Sequence, residues 1–330
     1  MPAGRCWGGP GRGRNEIEPQ MNVLFHYTAG PDLAARLAAV PGLRITVCAE
    51  DDDATLARAL PESDVLWHVL KRCTEAMIAA APNLKLIQKI GVGVNTINLE
   101  AAVGRGIPVC NLPGTNARAV AELTLALMLA TLRRVPRFDA GLRAGVWLDP
   151  LLQDGIGELG GRVVGLVGYG AIPRLLAPVL VALGCRVIYT TRRPVEDAVG
   201  RWRSLDVLLA EADVVSLHVP LTNETENLID AEALAGMKPG AILVNTARGG
   251  LVDPRALEDA LRSGRLAGAA LDVFAQEPID AADPVLRLPN VVLTPHIAWL
   301  TTGTFDRSFS LAAENCRRLA AGEALLHRVV

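Results

Sequence analysis

The chain has 330 residues, of which 50% are hydrophobic, and a formal net charge of −2 from 33 basic and 35 acidic side chains. A chain of this length can bury a large core and corresponds to about two domains. The balanced charge argues against the basic surfaces with which proteins bind nucleic acids or anionic membranes, so we expect neither partner.

Residues 1–20 are rich in glycine, proline and arginine and contain no apolar run of the kind found in secretory signals. Because Met21 opens a clean strand pattern, we predict that they form a disordered extension or are translated from an upstream start codon. The six cysteines are scattered without a C-x-x-C pair. This favours reduced, mostly buried thiols in a cytoplasmic protein over disulfides or a metal site.

From Met21 onwards, apolar strand patterns alternate with helical patterns in two series. The strands of the first series read NVLFHY, RITVCA, DVLWHV, LKLIQKI and IPVCNL. Those of the second, which starts near Arg162, read RVVGLVG, RVIYT, DVVSLHV, GAILVNTA, LAGAALDV and VVLTPHI. Continuous apolar strands separated by helices are typical of parallel sheets covered on both faces. The sequence therefore predicts an α/β protein with two doubly wound parallel sheets.

Two long helical segments, residues 115–135 and 301–322, flank the second series. The first is long enough to lead from one unit to the other, and the second would carry the chain back, so the second unit would be an insertion. Residues 119–132 are the most apolar run of the chain, but they are too short to span a membrane and include Glu122.

The stretch GLVGYGAIPR follows a strand and opens a helix, which is the context of a dinucleotide-binding turn. Its glycines permit the tight turn and let the backbone approach a pyrophosphate, while the amides at the helix start face the phosphates. The usual third glycine is Pro173, in the first helical turn, where a missing N–H is tolerated. We expect a weakened but functional site, with an ordinary βα turn as the alternative. The predicted cofactor contacts here are Gly168, Tyr169, Gly170, Ala171 and Ile172.

The end of the next strand, in YTTRRP, bears on the choice of cofactor. NAD sites usually carry an acidic residue about 20 residues after the glycine turn, where it binds the ribose 2′-hydroxyl. Thr190 occupies that position, and Thr191, Arg192 and Arg193 follow. Because arginine matches phosphate geometry, the sequence favours NADP(H), with NAD(H) as a second cofactor and a solvated basic turn as the structural alternative.

Four polar residues follow strands of the second series: Arg248, Asp272, Glu277 and His296. Each alone has a structural explanation, since a lone histidine is more often structural than catalytic and a lone charge is often an ion-pair partner. Active groups of open α/β sheets gather at the carboxyl ends of the strands, where all four lie. Their joint position predicts an active site.

Six motifs occur in the order found in one protein family: KIGVGVNTIN, NLPGTNARAVAE, GLVGYGAIP, VNTARGGLVD, ALDVFAQEP and TPHIAW. From Met21 to its C-terminus the chain resembles the D-isomer-specific 2-hydroxyacid dehydrogenases, and among them the glyoxylate/hydroxypyruvate reductases. The resemblance implies a Rossmann dinucleotide-binding domain, residues 113–299, inserted into a flavodoxin-like substrate-binding domain, residues 21–112 and 300–330. It also implies a homodimer formed through residues 116–150.

The resemblance assigns roles to the strand-end residues. The family's substrate arginine matches Arg248, its acid/base histidine His296 and the carboxylate partner of that histidine Glu277. The aspartate that binds the nicotinamide carboxamide matches Asp272. The remaining predicted cofactor contacts are Val219, Pro220, Thr246, Ala247, His296 and Ala298.

The family's substrate-carboxylate loop matches GVGVN, in which Val92 and Gly93 would supply backbone amides. The usual aspartate of this loop is Asn95 here, which we expect to affect only loop packing. Trp299 either walls the substrate pocket or is a core tryptophan. His68, Lys71 and Arg72 either line the pocket or form a solvated loop, and the solvated loop is the favoured interpretation.

Together these features predict NAD(P)H-dependent reduction of a small 2-keto acid, such as glyoxylate or hydroxypyruvate, to the D-2-hydroxy acid. His296 would protonate the developing alkoxide, Glu277 would orient and charge the imidazole, and Arg248 would hold the substrate carboxylate. A formate dehydrogenase is disfavoured because those enzymes pair the histidine with glutamine. A phosphite-type dehydrogenase and a dinucleotide-sensing, corepressor-like regulator stay open as alternatives.

Overall fold

The structure, a computed structural model, describes residues 21–330. The predicted extension, residues 1–20, lies outside the described residues. The described chain forms two compact units, one of residues 21–112 with Phe309–Val330 and the other of Pro113–Ser308. Each unit is built on one parallel sheet, which confirms the predicted two-sheet α/β fold.

The first unit contains a five-stranded sheet flanked by short helices. Its strands are β1 Met21–His26, β2 Leu43–Cys48, β3 Val65–His68, β4 Leu86–Lys89 and β5 Val109–Cys110. Its helices are α1 Pro31–Ala38, α2 Asp53–Ala59, α3 Glu75–Ala79 and α4 Leu99–Gly104. All strand pairs are parallel, in the flavodoxin-like order β2-β1-β3-β4-β5.

Local sequence signals start three of these helices. The side chains of Asp52, Thr74 and Asn98 accept hydrogen bonds from amides in the first turns of α2, α3 and α4. Such caps satisfy backbone donors that have no intrahelical partner. These caps therefore fix where α2, α3 and α4 begin, and so where the loops before them end.

The second unit contains a seven-stranded parallel sheet. Its strands are β6 Val163–Val167, β7 Arg186–Thr190, β8 Arg201–Trp202, β9 Val214–Leu217, β10 Ala241–Asn245, β11 Leu266–Leu271 and β12 Val291–Leu293. Its helices are α5 Ala117–Leu132, α6 Val135–Arg143, α7 Pro150–Gln153, α8 Ala171–Ala182, α9 Leu205–Glu211, α10 Ala231–Gly236 and α11 Pro254–Arg262. The strand order β12-β11-β10-β9-β6-β7-β8 is that of a Rossmann fold with one added strand.

The last helix, α12 Thr302–Ala321, contributes its second half to the first unit. There Phe309 stacks on Trp67 with ring centroids 5.6 Å apart, and Asn315 donates a hydrogen bond of 2.7 Å to the buried Gln88 side chain. The C-terminal segment is therefore part of the first unit's core.

The helical segment predicted for residues 115–135 is interrupted in the structure. Helix α5 ends at Leu132, and Arg134 takes a left-handed conformation with φ of 53° before α6 begins at Val135. Pro136 lies in the first turn of α6, where its missing N–H is tolerated, whereas an unbroken helix through residue 135 would put it in the interior, where it removes a hydrogen bond. The RRVP sequence therefore marks a helix boundary that the apolar pattern alone did not predict.

Three further sequence predictions concern the cysteines, membrane-spanning helices and metal ligands. The five cysteines among residues 21–330 are buried and free. In the same part of the chain, no helix is long and apolar enough to cross a membrane, and no group of acidic, histidine and cysteine side chains is placed to hold a metal ion.

The close packing of β6 against α9 yields a stability prediction. A Cβ added at Gly165 would lie 2.6 Å from Leu208 Cδ2 and 3.0 Å from Ala212 Cβ. Overpacking a buried site of this kind costs about 1–3 kcal/mol, so Gly165→Ala should lower the thermal unfolding temperature by several degrees. Gly236→Ala, where the added Cβ meets no atom within 4 Å, is the control and should not lower it. An unchanged unfolding temperature in Gly165→Ala would contradict this packing.

Candidate active site

The glycine turn connects β6 to α8. It lies at the carboxyl ends of β6 and β9, the neighbouring strands between which the strand order of the second sheet reverses. Gly168 follows β6 with φ of +98°, and an added Cβ would lie 2.7 Å from the carbonyl oxygen of His218, just after β9. Its amide donates to the Thr190 carbonyl at the end of β7 over 2.9 Å. Both the conformation and the close approach require glycine here.

The start of helix α8 fits the phosphates of a dinucleotide. Gly170 is the N-cap residue and supplies no capping side chain, and no atom lies within 4 Å of a Cβ built on it. Pro173 is the third helical residue and has no N–H, so the amides of Ala171 and Ile172 open the helix. Backbone donors at a helix start, with open space before them, suit an anionic group.

The side chain of Tyr169 belongs to the core and not to the surface of this turn. It is buried, its ring centroid lies 4.6 Å from that of Tyr189, and its hydroxyl bonds the main chain of Val199. A predicted contact between Tyr169 and a cofactor would therefore involve its main chain.

The basic turn after β7 is exposed and held by the neighbouring edge strand. The Thr191 hydroxyl donates to the Arg193 carbonyl over 2.6 Å, and the Trp202 indole donates to the Thr191 carbonyl over 3.0 Å. Both arginines of the turn are exposed. The pKa of Glu224 is lowered mainly by its bond to the Thr222 hydroxyl and slightly by Arg192, so Arg192 also faces an acid.

The structure brings the predicted catalytic side chains together. His296 Nδ1 lies 2.6 Å from Glu277 Oε2, and Glu277 Oε1 accepts the Phe274 amide over 3.0 Å. Because the carboxylate can only accept, Nδ1 carries the proton of that bond, which leaves Nε2 to face a ligand. Arg248 is close enough to Glu277 for each charge to affect the other.

Burial and charge act in opposite directions within this trio. Burial would raise the pKa of Glu277, but its bond to His296, the charge of His296, the Phe274 amide and Arg248 outweigh it and lower the pKa. Burial lowers the pKa of Arg248, and the neighbouring Glu277 partly opposes this. An arginine is effectively always protonated in proteins, so Arg248 stays charged beside the Glu277 carboxylate.

Gly249 allows the loops after β10 and β11 to touch. A Cβ at this position would overlap the backbone of Phe274 and Ala275. The Asn245 side chain donates to the Arg248 carbonyl over 2.9 Å and fixes the residue before this contact. The ARGG sequence thus places Arg248 beside the segment that carries Glu277.

A buried carboxylate shapes the turn that presents His296. Asp272 accepts bonds from the Thr294 hydroxyl at 2.6 Å and from the Ile297 and Ala298 amides at 2.9 Å. Burial raises the pKa of Asp272, and these three bonds partly offset the rise. His296 itself has φ of 55°, an unusual conformation that the surrounding bonds hold in place.

The remaining predicted contacts lie at the same sheet edge, although several side chains are engaged within the protein. Val219 and Pro220 follow β9, and Ala247 follows β10. The Thr246 hydroxyl is 2.9 Å from that of Thr124, and Ala298 is buried. Trp299 is 7% exposed, packs on Phe305 and donates to the His296 carbonyl over 2.9 Å. This favours the packing alternative for Trp299, and its contact with substrate stays a prediction.

In the first unit, Val92 and Gly93 lie in the loop between β4 and α4. The Val92 side chain is 43% exposed, and its carbonyl accepts a bond of 2.9 Å from Asn111. His68 is buried at the end of β3, so the solvated-loop interpretation is wrong for this residue, whereas Arg72 is exposed.

Sequence reasoning missed several residues that build the site. Four of them act on predicted site residues through backbone contacts or hydrogen bonds: Gly249, Phe274, Asn245 and Thr294. Thr294 lies in the motif TPHIAW and Gly249 in VNTARGGLVD, so membership in these motifs could have indicated both residues from the sequence. The Phe274 amide leaves no signal in a sequence because every residue except proline has one.

Comparison with known proteins places these features in a family. Residues 125–298 match the model of the D-isomer specific 2-hydroxyacid dehydrogenase NAD binding domain. The chain is 41% identical to a glyoxylate reductase of Aeropyrum pernix over 82% of this chain and 83% of that protein. It is also 41% identical to a D-3-phosphoglycerate dehydrogenase of Mycobacterium leprae over 91% of this chain. The match covers 54% of the M. leprae protein, so the chain spans about half the length of that relative.

Solved structures agree with the same grouping. An NADPH-dependent glyoxylate/hydroxypyruvate reductase from Sinorhizobium meliloti, in complex with NADP and malonate, has a TM-score of 0.79 at 29% identity, covering 94% of this chain and 97% of that one. An NAD-dependent formate dehydrogenase from Staphylococcus aureus, in complex with NAD, has a TM-score of 0.84 at 28% identity, covering 94% and 99%. Family model, sequence identity and fold coincide, and the chain belongs to the D-isomer specific 2-hydroxyacid dehydrogenase family.

Proposed function

We propose that this protein reduces a small 2-keto acid to the D-2-hydroxy acid with a nicotinamide cofactor. Relatives named glyoxylate reductase support this proposal. The observation that carries the proposal is the contact of 2.6 Å between His296 Nδ1 and Glu277 Oε2, with Arg248 beside the same carboxylate. A protein that only senses a dinucleotide would not need this arrangement.

His296 is the proton donor of the proposed reaction. Glu277 fixes the ring through Nδ1, so Nε2–H of the protonated ring can donate to the oxygen on which negative charge develops. In the reverse direction the neutral Nε2 accepts the proton of the hydroxyl group. The left-handed turn at residue 296, held by Asp272 and Trp299, sets the direction of the ring.

Arg248 supplies the positive charge that the substrate carboxylate requires. A guanidinium can bind a carboxylate through two parallel hydrogen bonds, which orients the keto group as well as binding it. In the first unit, the amides of Val92 and Gly93 are proposed to contact substrate, as the family resemblance implies. The Arg248 contact holds the substrate carboxylate while His296 moves a proton.

The second unit offers the groups that a dinucleotide needs. Gly168 and Gly170 would admit the pyrophosphate, and the amides of Ala171 and Ile172 would bind it. When bound, the cofactor supplies the hydride that no side chain can provide. We propose a preference for NADP(H), because Thr190 stands where an NAD site usually has an acidic residue and two exposed arginines follow it.

Steady-state assays of the purified protein test the proposed function. NADPH oxidation should occur with glyoxylate or hydroxypyruvate and yield the D-hydroxy acid when the product is chiral. The keto acid of 3-phosphoglycerate belongs in the panel because of the phosphoglycerate dehydrogenase relatives, and formate and phosphite with NADP⁺ test the alternatives. Dinucleotide binding without turnover of any of these compounds would instead support a regulatory protein.

The carboxylate–imidazole pair predicts the effect of one substitution. Glu277→Gln should lower kcat/KM for reduction by about 100-fold, because the imidazole loses the carboxylate that holds its orientation and general acid catalysis is worth about 10²–10⁴-fold. The lowered pKa of Glu277 keeps the carboxylate negative through neutral pH, so the pairing should fail only as the pH falls below the usual range of a glutamate. Glu258→Gln, in an exposed pair with Arg262, is the control, and an unchanged kcat/KM in Glu277→Gln would refute the pairing.

The basic turn predicts an effect on cofactor choice. Replacing Arg192 and Arg193 with alanine should raise the KM for NADPH by at least about tenfold and leave that for NADH unchanged, because charge-assisted bonds to the 2′-phosphate are lost. Arg186→Ala removes an exposed charge at the opposite end of β7 and serves as the control. Equal losses with both cofactors would show that the turn does not read the 2′-phosphate.

The segment between α6 and α7 supports the proposed homodimer. Trp147 is 86% exposed, with Val146 at 47% and Leu148 at 48% beside it, and apolar side chains clustered in this way suit a protein interface. Trp147→Ser should convert a dimer to a monomer in light scattering. Leu286→Ser, which changes an exposed leucine outside residues 116–150, should leave the dimer intact. A monomeric parent protein would contradict the proposed interface.

A further inference from the structure

Two buried threonine hydroxyls join helix α5 to the residue that follows β10. Thr124 Oγ1 lies 2.9 Å from Thr246 Oγ1, although 122 residues separate the two along the chain. Thr124 has no exposed surface, whereas Thr246 keeps 7% of its surface exposed. Because Thr246 directly precedes Ala247 and Arg248, the pair ties α5 to the edge of the candidate active site.

The hydrogen-bond distances fix the direction of this contact. Thr124 Oγ1 also donates to the Val120 carbonyl over 2.7 Å. A carbonyl oxygen can only accept, and each hydroxyl has a single proton. Both distances are hydrogen bonds only if Thr124 gives its proton to Val120 and Thr246 gives its proton to Thr124. The Thr246 hydroxyl therefore presents only lone pairs, which bind an N–H or O–H group of a ligand.

The neighbouring strand end supplies a second observation. Ser216 of β9 lies opposite Val244 of β10 in the parallel register. The next residues on that face of the sheet are His218 and Thr246. His218 Nε2 is 2.9 Å from Ser216 Oγ, whereas its Nδ1 is buried and bonds to no protein group among residues 21–330. An unpaired buried nitrogen costs free energy, which a ligand bound at this edge would recover.

The chemistry of the nicotinamide ring identifies the donor that suits this acceptor. Its carboxamide carries two N–H groups and is attached next to the ring carbon from which hydride leaves. Thr246 stands next to the segment that carries Arg248, the proposed substrate arginine. An acceptor at this place therefore matches the carboxamide, and with two N–H groups the carboxamide can bind Thr246 in addition to the contact predicted for Asp272.

We infer that Thr124 is a positioning residue for the cofactor, because it holds the Thr246 hydroxyl as an acceptor for one N–H group of the nicotinamide carboxamide. The inference rests on the proposed function. Thr124 is too deeply buried to touch the cofactor and acts only through Thr246. Its effect should appear in the affinity for cofactors that carry the N–H group and not in the affinity for those that lack it.

The test measures the dissociation constants of NADPH and of its 3-acetylpyridine analogue by calorimetric titration. The analogue has a methyl group in place of the carboxamide nitrogen and therefore no N–H group. Thr124→Val keeps the shape of the side chain and removes the acceptor of the Thr246 proton. It should weaken NADPH binding by about three- to tenfold, the effect of one lost hydrogen bond, and change binding of the analogue by less than about twofold. Thr124→Ser keeps the hydroxyl and should bind NADPH as the parent protein does.

Thr131→Val is the matched control on the same helix. The Thr131 hydroxyl donates to the Leu127 carbonyl over 2.8 Å, as that of Thr124 does to Val120, but within residues 21–330 it bonds to no second hydroxyl. Thr131→Val should leave both dissociation constants unchanged. Equal losses with the two cofactors in Thr124→Val, or an unchanged NADPH constant, would overturn the inference.

If Thr124→Val does not fold, Thr246→Val decides, because it removes the proposed acceptor directly. It should weaken NADPH binding by the same factor and spare the analogue, and equal effects on both ligands would overturn the inference. Parent protein that binds NADPH but reduces no keto acid would instead refute the proposed function, whatever the variants show. The two failures are therefore distinguishable.

Discussion

The contact between the Glu277 carboxylate and the His296 imidazole depends on the strands of the second unit and on the loops that follow them. Glu277 and His296 are 19 residues apart along the chain, so two different loops must bring their side chains to within 2.6 Å of each other. Parallel strands provide the means, since β10, β11 and β12 are neighbours and their carboxyl ends lie at one edge. Gly249 and Asp272 then adjust the loops after those strands until the side chains meet.

The same contact explains the electrostatic balance of the site. Burial disfavours every charge in the trio, raising the pKa of a carboxyl group and lowering that of a guanidinium. Glu277 nevertheless stays ionised because a histidine, a backbone amide and an arginine surround it. The charge of Glu277 is therefore maintained by its neighbours, which makes the group sensitive to removal of any one member. Cooperative sites of this kind respond to single substitutions with losses that do not add.

The sequence was sufficient for the fold and for the closeness of the predicted catalytic side chains, for identifiable reasons. Buried parallel strands leave continuous apolar runs, and the residues Arg248, Glu277 and His296 stand in long motifs at the ends of such runs. It was not sufficient for details that depend on contacts between distant segments. The burial of Tyr169 and Trp299 and the overlap avoided at Gly249 arise from packing that no spacing rule encodes. The break at Arg134 was missed because an apolar pattern outweighed the proline signal.

In the first unit, too, contacts between distant segments could not be predicted from the sequence. His68 was expected in a solvated loop and Lys89 was given no role from the sequence, yet both are buried and their side chains are in contact. Strand register placed them side by side, and register is a property of the folded sheet and not of either motif. Burial of this kind is found from the structure, whereas the predicted catalytic residues stand in motifs that the sequence itself shows.

A crystal structure of the protein with NADPH and oxamate would test the central claim most directly. The account predicts that His296 Nε2 and the Arg248 guanidinium both lie within hydrogen-bonding distance of the oxamate oxygens, with Glu277 still bonded to Nδ1. Oxamate bound away from both side chains, or a His296 ring turned away from Glu277 in that complex, would contradict it.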